Sequence, residues 1–331
     1  MNHYKNKKVI ITGGLGFIGS TLASKLVANG AVVTLVDSLI PEYGGNEFNI
    51  QNIRDSVILN VCDIRDRFAM EHLIKGQDFL FNLAGQTSHI DSMKDPYTDL
   101  AINATAQLSI LEACKNKNPN IKIVFASTRQ IYGRPRYLPV DELHPILPVD
   151  VNGINKLAGE SYHLLYNSVY GIRACVLRLT NIYGPNMRIR DARQTFIGVW
   201  IRNLIDGIPI KVYGDGSQRR DFCYVDDCVD AMMIAGLSDI TNGKIYNLGG
   251  TEIITLKDIA QMMLNIGSKL NLPGVFECVE FPIERKLIDI GDYYSDNSLI
   301  KTEIGWEPLV SFDQGIEKTL KFYIKNFNNY I

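Results

Sequence analysis

A chain of 331 residues, 46% of them hydrophobic, is long enough for one large α/β unit with a smaller appended lobe and a sizeable core. With 34 lysines and arginines against 36 aspartates and glutamates, no net basic field draws the protein to nucleic acid or to an anionic membrane, so local cations must meet any anionic ligand. The six cysteines (Cys62, Cys114, Cys175, Cys223, Cys228, Cys278) lack metal-ligand spacing, no apolar stretch reaches membrane-spanning length, and the N-terminus lacks a signal-peptide core; a cytoplasmic, reduced protein with no metal is expected.

The first element is a strand, turn and helix. Val9 to Thr12 is a β-branched and apolar run that enters a glycine cluster, and a helical apolar pattern follows from Phe17. Gly13, Gly16 and Gly19 have the spacing of a dinucleotide-binding turn: one bends the chain, one lets backbone amides approach a pyrophosphate, and one lets helix and strand pack closely. The next strand, Ala31 to Asp37, ends on a carboxylate placed to accept both hydroxyls of an adenosine ribose. Asp37 would repel a 2′-phosphate, so the expected cofactor is NAD rather than NADP.

Short apolar runs then alternate with helical ones, the pattern of a parallel sheet wound by helical crossovers. Strands are expected over Val57 to Val61, Asp78 to Ala84, Ile121 to Ser127 and Arg173 to Thr180. Leu100, Ala104, Leu108 and Leu111 recur at helical spacing and predict one helix from Tyr97 to Cys114; a longer helix runs from Asn152 to Tyr170. Ligands of such sheets lie beyond the carboxyl ends of the strands, where Asp37, Asp63, Gly85, Thr128 and Asn181 fall. Past Tyr183 the rhythm breaks at Pro185, Gly207, Pro209, Gly214 and Gly216. The expected architecture is therefore a doubly wound α/β Rossmann domain over residues 1–182, also including about 221–240, and a smaller C-terminal α/β lobe over 183–331. Helices in that lobe begin at Thr255 and Ser311, each a hydroxyl cap with an acid or amide three residues on.

Chemistry should collect where the strand ending in Ser127 and Thr128 meets the helix opened by Asn152, because Asn152 and Lys156 share one helical face. Several stretches together carry a resemblance: Thr12-Gly-Gly-Leu-Gly-Phe-Ile-Gly19, Ala126-Ser-Thr-Arg-Gln-Ile-Tyr-Gly133, Lys156-Leu-Ala-Gly-Glu160, Leu177-Arg-Leu-Thr-Asn-Ile-Tyr-Gly-Pro185, Gly214-Asp-Gly-Ser-Gln-Arg-Arg-Asp-Phe222, Tyr246-Asn-Leu-Gly-Gly250 and Gly305-Trp-Glu-Pro308. With these motifs the chain resembles the extended short-chain dehydrogenase/reductase family, the NAD-dependent nucleotide-sugar epimerases and dehydratases, across nearly its whole length.

The resemblance implies a cofactor set of Gly13, Gly16, Phe17, Ile18, Gly19, Asp37, Asp63, Ile64, Ala84, Gly85 and Lys156, with Asp63 at the adenine and Lys156 at the nicotinamide ribose. It implies that Thr128 bonds the sugar oxygen being oxidised, and that Gln86, Ser127, Thr128, Asn181 and Arg220 bind the nucleotide-diphosphate sugar. A guanidinium at 220 suits a diphosphate because its planar fork donates two bonds at once. Relatives pair the helices corresponding to Tyr97–Cys114 and Asn152–Tyr170 into a homodimer, which is the assembly expected here.

One departure matters. The family's helix opens Tyr-x-x-x-Lys, and its phenol exchanges a proton with the substrate; this chain reads Asn152-Gly-Ile-Asn-Lys156. An amide cannot shuttle a proton, which leaves three readings open. Another group serves as base: His89, on the loop after the fourth strand, is the first candidate because an unperturbed imidazole titrates near ~6.5, with Asp91 and Tyr132 behind it. Alternatively the chemistry needs no base at that point, as in an elimination, decarboxylation, reduction or epimerisation at a neighbouring carbon; Arg129 and Gln130 stand where dehydratases of the family place an acid and a base, which argues against a standard 4,6-dehydratase. The loop Leu83-Ala-Gly-Gln86 with Ser92 and Pro96 is similar to that of epimerases acting at the sugar's C2. Thirdly, the protein binds NAD and a sugar nucleotide without redox turnover. A second departure is Asp289-Ile-Gly-Asp292, where relatives often carry Arg-Pro-Gly-Asp; Arg285 or Lys286 would have to compensate. The reading carried forward is an NAD-dependent nucleotide-diphosphate-sugar epimerase working by transient hydride transfer with a non-standard acid/base.

Overall fold

The computed structural model of the protein describes residues 3–331. Twelve strands form in the described chain: β1 (Lys8–Thr12), β2 (Val32–Asp37), β3 (Val57–Val61), β4 (Phe79–Asn82), β5 (Lys122–Thr128), β6 (Arg173–Leu179), β7 (Asn181–Tyr183), β8 (Ile210–Tyr213), β9 (Arg219–Tyr224), β10 (Ile245–Leu248), β11 (Ile253–Thr255) and β12 (Phe276–Val279). Seven of them make one parallel sheet in the order β10-β6-β5-β4-β1-β2-β3. Val9, Ile10, Ile11, Val33, Leu35, Leu80, Phe81, Ile123 and Phe125 are all fully or almost fully buried, because helices cover both faces of a parallel sheet. The strand order reverses between β1 and β4, and that switch point opens the crevice in which ligands of such sheets lie.

The helices are α1 (Phe17–Ala28), α2 (Arg67–Leu73), α3 (His89–Lys94), α4 (Pro96–Leu100), α5 (Ala106–Lys117), α6 (Val151–Tyr170), α7 (Phe196–Asp206), α8 (Val225–Leu237), α9 (Leu256–Lys269), α10 (Ile283–Leu287), α11 (Ser298–Ile304) and α12 (Phe312–Asn326). Two expectations change. The single helix from Tyr97 to Cys114 is divided, because Ala101–Thr105 between α4 and α5 is wound as a wider π-helix. There the buried Gln107 amide donates to the Ile102 carbonyl and the Asn103 amide donates out of the helix to the Gln86 carbonyl, and polar side chains that bond the backbone in this way compete with the regular α ladder. His89 is not on a loop but is the first residue of α3, which the Ser88 hydroxyl caps by accepting from the Asp91 amide.

The C-terminal stretch is not a separate unit of chain. After β9, helix α8 packs on α1 and β5, and β10 joins the edge of the main sheet beside β6, pairing Ile245 with Val176 and Leu248 with Leu179. The remaining lobe holds a three-stranded sheet, β11-β9-β7, and a parallel pair, β8 with β12. Thr255 and Ser311 cap α9 and α12 as their spacing predicts. No helix among the described residues is long and apolar enough to cross a membrane.

Beneath the crevice, β5, β6 and α6 are locked by one buried ion pair. Glu160 of α6 accepts from both Nε and Nη2 of Arg178 on β6, and also from the Ser127 hydroxyl at the end of β5. Arg178 and Glu160 have side-chain exposures of only 1% and 2%. Removing one partner strands a buried charge, so Glu160→Ala is expected to lower the unfolding free energy by about 3–5 kcal/mol. Urea denaturation followed by circular dichroism measures it, and a loss below about 1 kcal/mol contradicts this account of the sheet–helix lock.

Candidate active site

A cleft of about 800 Å³ runs along the carboxyl ends of β1, β2, β4 and β5 and continues between the sheet and the C-terminal lobe. Its first half is backbone. Gly13 turns at φ +69°, and a Cβ there would meet the Ala84 backbone at 3.1 Å; a Cβ on Gly19 would lie 2.1 Å from the Gly13 carbonyl oxygen, so only glycine lets α1 approach the end of β1 this closely. Gly16 caps α1 without any side chain occupying the first-turn amides, which leaves the positive helix end facing the cleft between Phe17, Ile18 and Gly19. Asp37 receives the amides of Leu15 (3.0 Å) and Leu39 (2.9 Å); burial raises its pKa and those backbone bonds oppose the rise.

Farther along, Ile64 is buried, and Ala84 and Gly85 border the same space. Asp63 also lines it, though its carboxylate already takes a forked bond from Arg65, with contacts of 2.6 to 3.1 Å, which hold its pKa below the usual carboxylate value. An anion-receptive helix end, glycines that admit a ligand against backbone, and a carboxylate at the end of β2 fit the phosphates and ribose of a dinucleotide.

The reacting end gathers around β5 and α6. Thr128 Oγ1 accepts from the Gln130 amide at 3.2 Å, which leaves the hydroxyl proton free to be donated into the cleft. Lys156 reaches the Ala126 carbonyl at 2.5 Å and lies 4.4 Å from the centre of the Phe125 ring. Burial pulls its pKa down to about 8, against the opposing pull of Asp99 and Glu160. Ser127, expected at the substrate, lines the cleft and gives its hydroxyl proton to Glu160.

Asn152 is equally committed. Its amide donates to the Gln86 carbonyl at 2.7 Å and to the fully buried Asp99 at 3.0 Å, while Asn155 donates to the other Asp99 oxygen at 2.8 Å. The Gln86 side chain is buried on the cleft wall; its amide donates to the Ser88 carbonyl and its Oε1 has no partner among the described residues.

Of the three candidate bases, two are engaged by other protein groups. Tyr132 is buried away from the cleft, donating to Asn247 at 2.7 Å and accepting from Arg178 at 2.6 Å, and burial pushes its pKa up to about 12. Asp91 is paired with Arg193 at 2.9 Å. His89 remains: it is 35% exposed at the cleft wall, with Nδ1 3.0 Å from an oxygen of Asp150 but off the line of a good hydrogen bond. Asp150 has no solvent exposure at its side chain and caps α6 by accepting from the Gly153 amide (2.7 Å), with Gln130 donating to its other oxygen (2.7 Å). Burial alone would raise the Asp150 pKa, but His89, Gly153 and Gln130 hold it below the ordinary value.

On the lobe side, Asn181 accepts from Arg129 at 2.9 Å. Arg220 is buried and turned onto protein oxygens, bonding the Arg219 and Gly291 carbonyls and lying 3.5 Å from Asp289. Asp289, where relatives often carry arginine, thus serves Arg220 directly. Arg285 lines the cleft near Tyr213, whereas Lys286 lies in a shallow depression beside Arg134 and Asp292. No cluster of three or more metal-ligating side chains occurs among the described residues. Sequence reasoning missed Asp150, Asp99 and the importance of Arg129. Only Asp150 carried a signal, as an acid immediately ahead of a helix.

This fold and cleft define a dinucleotide-binding α/β enzyme, with a cleft that continues between the sheet and the C-terminal lobe. The sequence places it more closely: the pattern of the NAD dependent epimerase/dehydratase family matches residues 9–249, and the chain belongs to that family. A relative called a putative UDP-glucose 4-epimerase, from Methanocaldococcus jannaschii, is 32% identical over 97% of this chain and 99% of its own. Among solved structures, an epimerase of the methanogen Methanothermobacter thermautotrophicus superposes with a TM-score of 0.91 at 25% identity, covering 99% of this chain and 95% of that one. The UDP-N-acetylglucosamine 4-epimerase from Methanobrevibacter ruminantium in complex with UDP-N-acetylmuramic acid gives 0.88 at 27%, covering 97% and 99%.

The depressed pKa of Lys156 has a measurable sign. The folded state releases this proton near pH 8 and the unfolded chain near ~10.4, so Lys156 costs stability below about pH 8 and the cost is relieved as pH rises between the two values. The native protein should therefore gain stability relative to Lys156→Met from pH 8 to 10, read as the difference in urea midpoints. A difference that stays flat across that window contradicts the burial of a charged Lys156.

Proposed function

We propose that the protein is an NAD-dependent epimerase of nucleotide-diphosphate sugars in which His89, held by Asp150, performs the proton transfer that relatives assign to a tyrosine. The coenzyme belongs to the glycine turn, Asp37, Asp63 and Lys156. The sugar nucleotide belongs to Gln86, Thr128, Asn181, Arg220 and the part of 183–331 outside the main sheet. Bound NAD would supply a hydride acceptor, and then a donor, at one ring carbon of the sugar.

The chain's own groups do the rest. Thr128 gives its free hydroxyl proton to the sugar oxygen. Lys156 holds a cation beside the ribose, fixed against the Ala126 carbonyl and the Phe125 ring. His89 takes the proton of the sugar hydroxyl on Nε2 and returns it, while Asp150, a carboxylate kept ionised by its three partners, steadies the charged imidazole from the Nδ1 side. The observation that carries this reading is the contact of His89 with a fully buried acid on the wall of the cleft that holds Thr128 and Lys156. Gln130, bonded to Asp150, positions that acid and is not itself a proton donor to a leaving hydroxyl, which disfavours the dehydratase reading.

Incubating the purified protein with UDP-glucose, UDP-N-acetylglucosamine, UDP-glucuronate and dTDP-glucose, read by proton NMR and nicotinamide absorbance, tests the reaction. An epimerised sugar is expected. Neither product nor cofactor reduction with any of them would overturn it in favour of a protein that binds without turnover. His89→Asn should slow turnover ~10²- to 10⁴-fold with little change in cofactor affinity. Asn152→Tyr is the opposing probe: if it raises turnover on UDP-glucose, a purpose-built substitute base is refuted.

The same reading extends to assembly. Tyr97, Ile154, Leu165 and Val169, on α4 and α6, are all at least half exposed and form the apolar face expected of a cytoplasmic homodimer. Light scattering should give twice the 37.2 kDa chain mass.

A further inference from the structure

The turn after β5 carries a guanidinium with an unused donor. Arg129 gives Nη2 to Asn181 at 2.9 Å and lies 5.2 Å from the centre of the Tyr293 ring, while its Nη1 is sealed from solvent and has no hydrogen-bond partner among the described residues. No carboxylate among the described residues pairs with it. Each nearby acid is engaged elsewhere: Asp221 by the Thr180 hydroxyl and the Ser295 amide, Asp289 by the Gly291 amide, Gln218 and Arg220, and Asp150 by Gly153, Gln130 and His89. Burial and then the neighbouring Arg129 charge weaken Arg220's hold on its proton, and both guanidiniums line the same cleft. A buried charged donor left unmatched is costly, and a second cation nearby adds to the reason for an anion beside Arg129.

We propose that Arg129 is a substrate-binding residue that, with Asn181 and Arg220, takes the sugar-side phosphate of the nucleotide diphosphate. The inference rests on the nucleotide-sugar reading of the cleft. Arg129 follows Thr128 directly, so the phosphate it binds is the one next to the sugar, and the sugar's reacting oxygen is thereby set against the Thr128 hydroxyl. The forked guanidinium meets two oxygens of a tetrahedral phosphate at once, which an ammonium cannot do. The unused Nη1 supplies the second arm of that fork.

Calorimetric titration of the NAD-loaded protein with UDP, UMP, UDP-glucose and UDP-glucuronate tests this. The native protein should bind UDP more tightly than UMP. Arg129→Met should weaken UDP and UDP-glucose ~10- to 100-fold while leaving UMP within about threefold, and Arg129→Lys should restore only part of the loss. A purely structural role would weaken UMP and UDP equally and overturns the proposal, as does an unchanged UDP affinity. A loss confined to UDP-glucuronate also overturns it, since the residue would then read a sugar carboxylate. If Arg129→Met fails to fold, the UDP-to-UMP ratio of Arg129→Lys decides the matter. Native protein that binds neither UDP nor dTDP refutes the nucleotide-sugar reading itself, a result distinct from native binding that Arg129 does not affect.

Discussion

One carboxylate without solvent exposure, Asp150, organises the reacting end of the cleft. It closes the first turn of α6 through the Gly153 amide, holds the turn after β5 through Gln130, and faces His89 at the start of α3. Three segments distant in sequence are thereby referred to one point. An ionised group that has lost its water must recover the lost solvation from protein donors, and those donors can satisfy it only in one relative arrangement. The position of Thr128 on the one side and His89 on the other follows from that requirement.

A second buried acid, Asp99, explains how the helix tolerates an amide where relatives carry a phenol. Asn152 and Asn155 each donate to one of its oxygens, Lys156 lies close enough to feel its charge, and the second amide proton of Asn152 goes to the Gln86 carbonyl. A phenol has one proton and cannot make both Asn152 bonds. Position 152 has thus become a strut joining α6 to α4 and to the loop after β4. A polar network with its bonds made in this way is rigid, and it costs a great deal if only one member is changed. Asn152 and His89, the latter beside Asp150, thus border the same cleft.

Cations are also distributed with purpose. Lys156 is held by a carbonyl and an aromatic face and carries its charge at a cost. Arg178 is neutralised by Glu160 beneath the sheet, so that it contributes rigidity and no field to the cleft. Arg129, by contrast, has no paired carboxylate among the described residues, and the acids near it are already occupied. With a net charge near zero, any positive charge offered to an anionic ligand comes from the placement of single side chains such as Arg129 and not from composition.

Much of the fold was legible in the sequence: the alternation of apolar strands and helices, the glycine turn at 13 to 19, the acid ending β2, and the hydroxyl caps at Thr255 and Ser311 all depend on residues close together in the chain, where backbone geometry and side-chain period suffice. The family followed from the same local motifs. Tertiary structure alone decided the rest. It returned β10 to the edge of the main sheet, turned Ser127 onto Glu160, closed Tyr132 away behind Arg178, and brought His89 to Asp150. A side chain's direction and charge state are set by whatever packs against it, and those neighbours come from distant segments. Local sequence therefore fixed where each functional group sits on the backbone, and only packing fixed which of them remained free to meet a ligand.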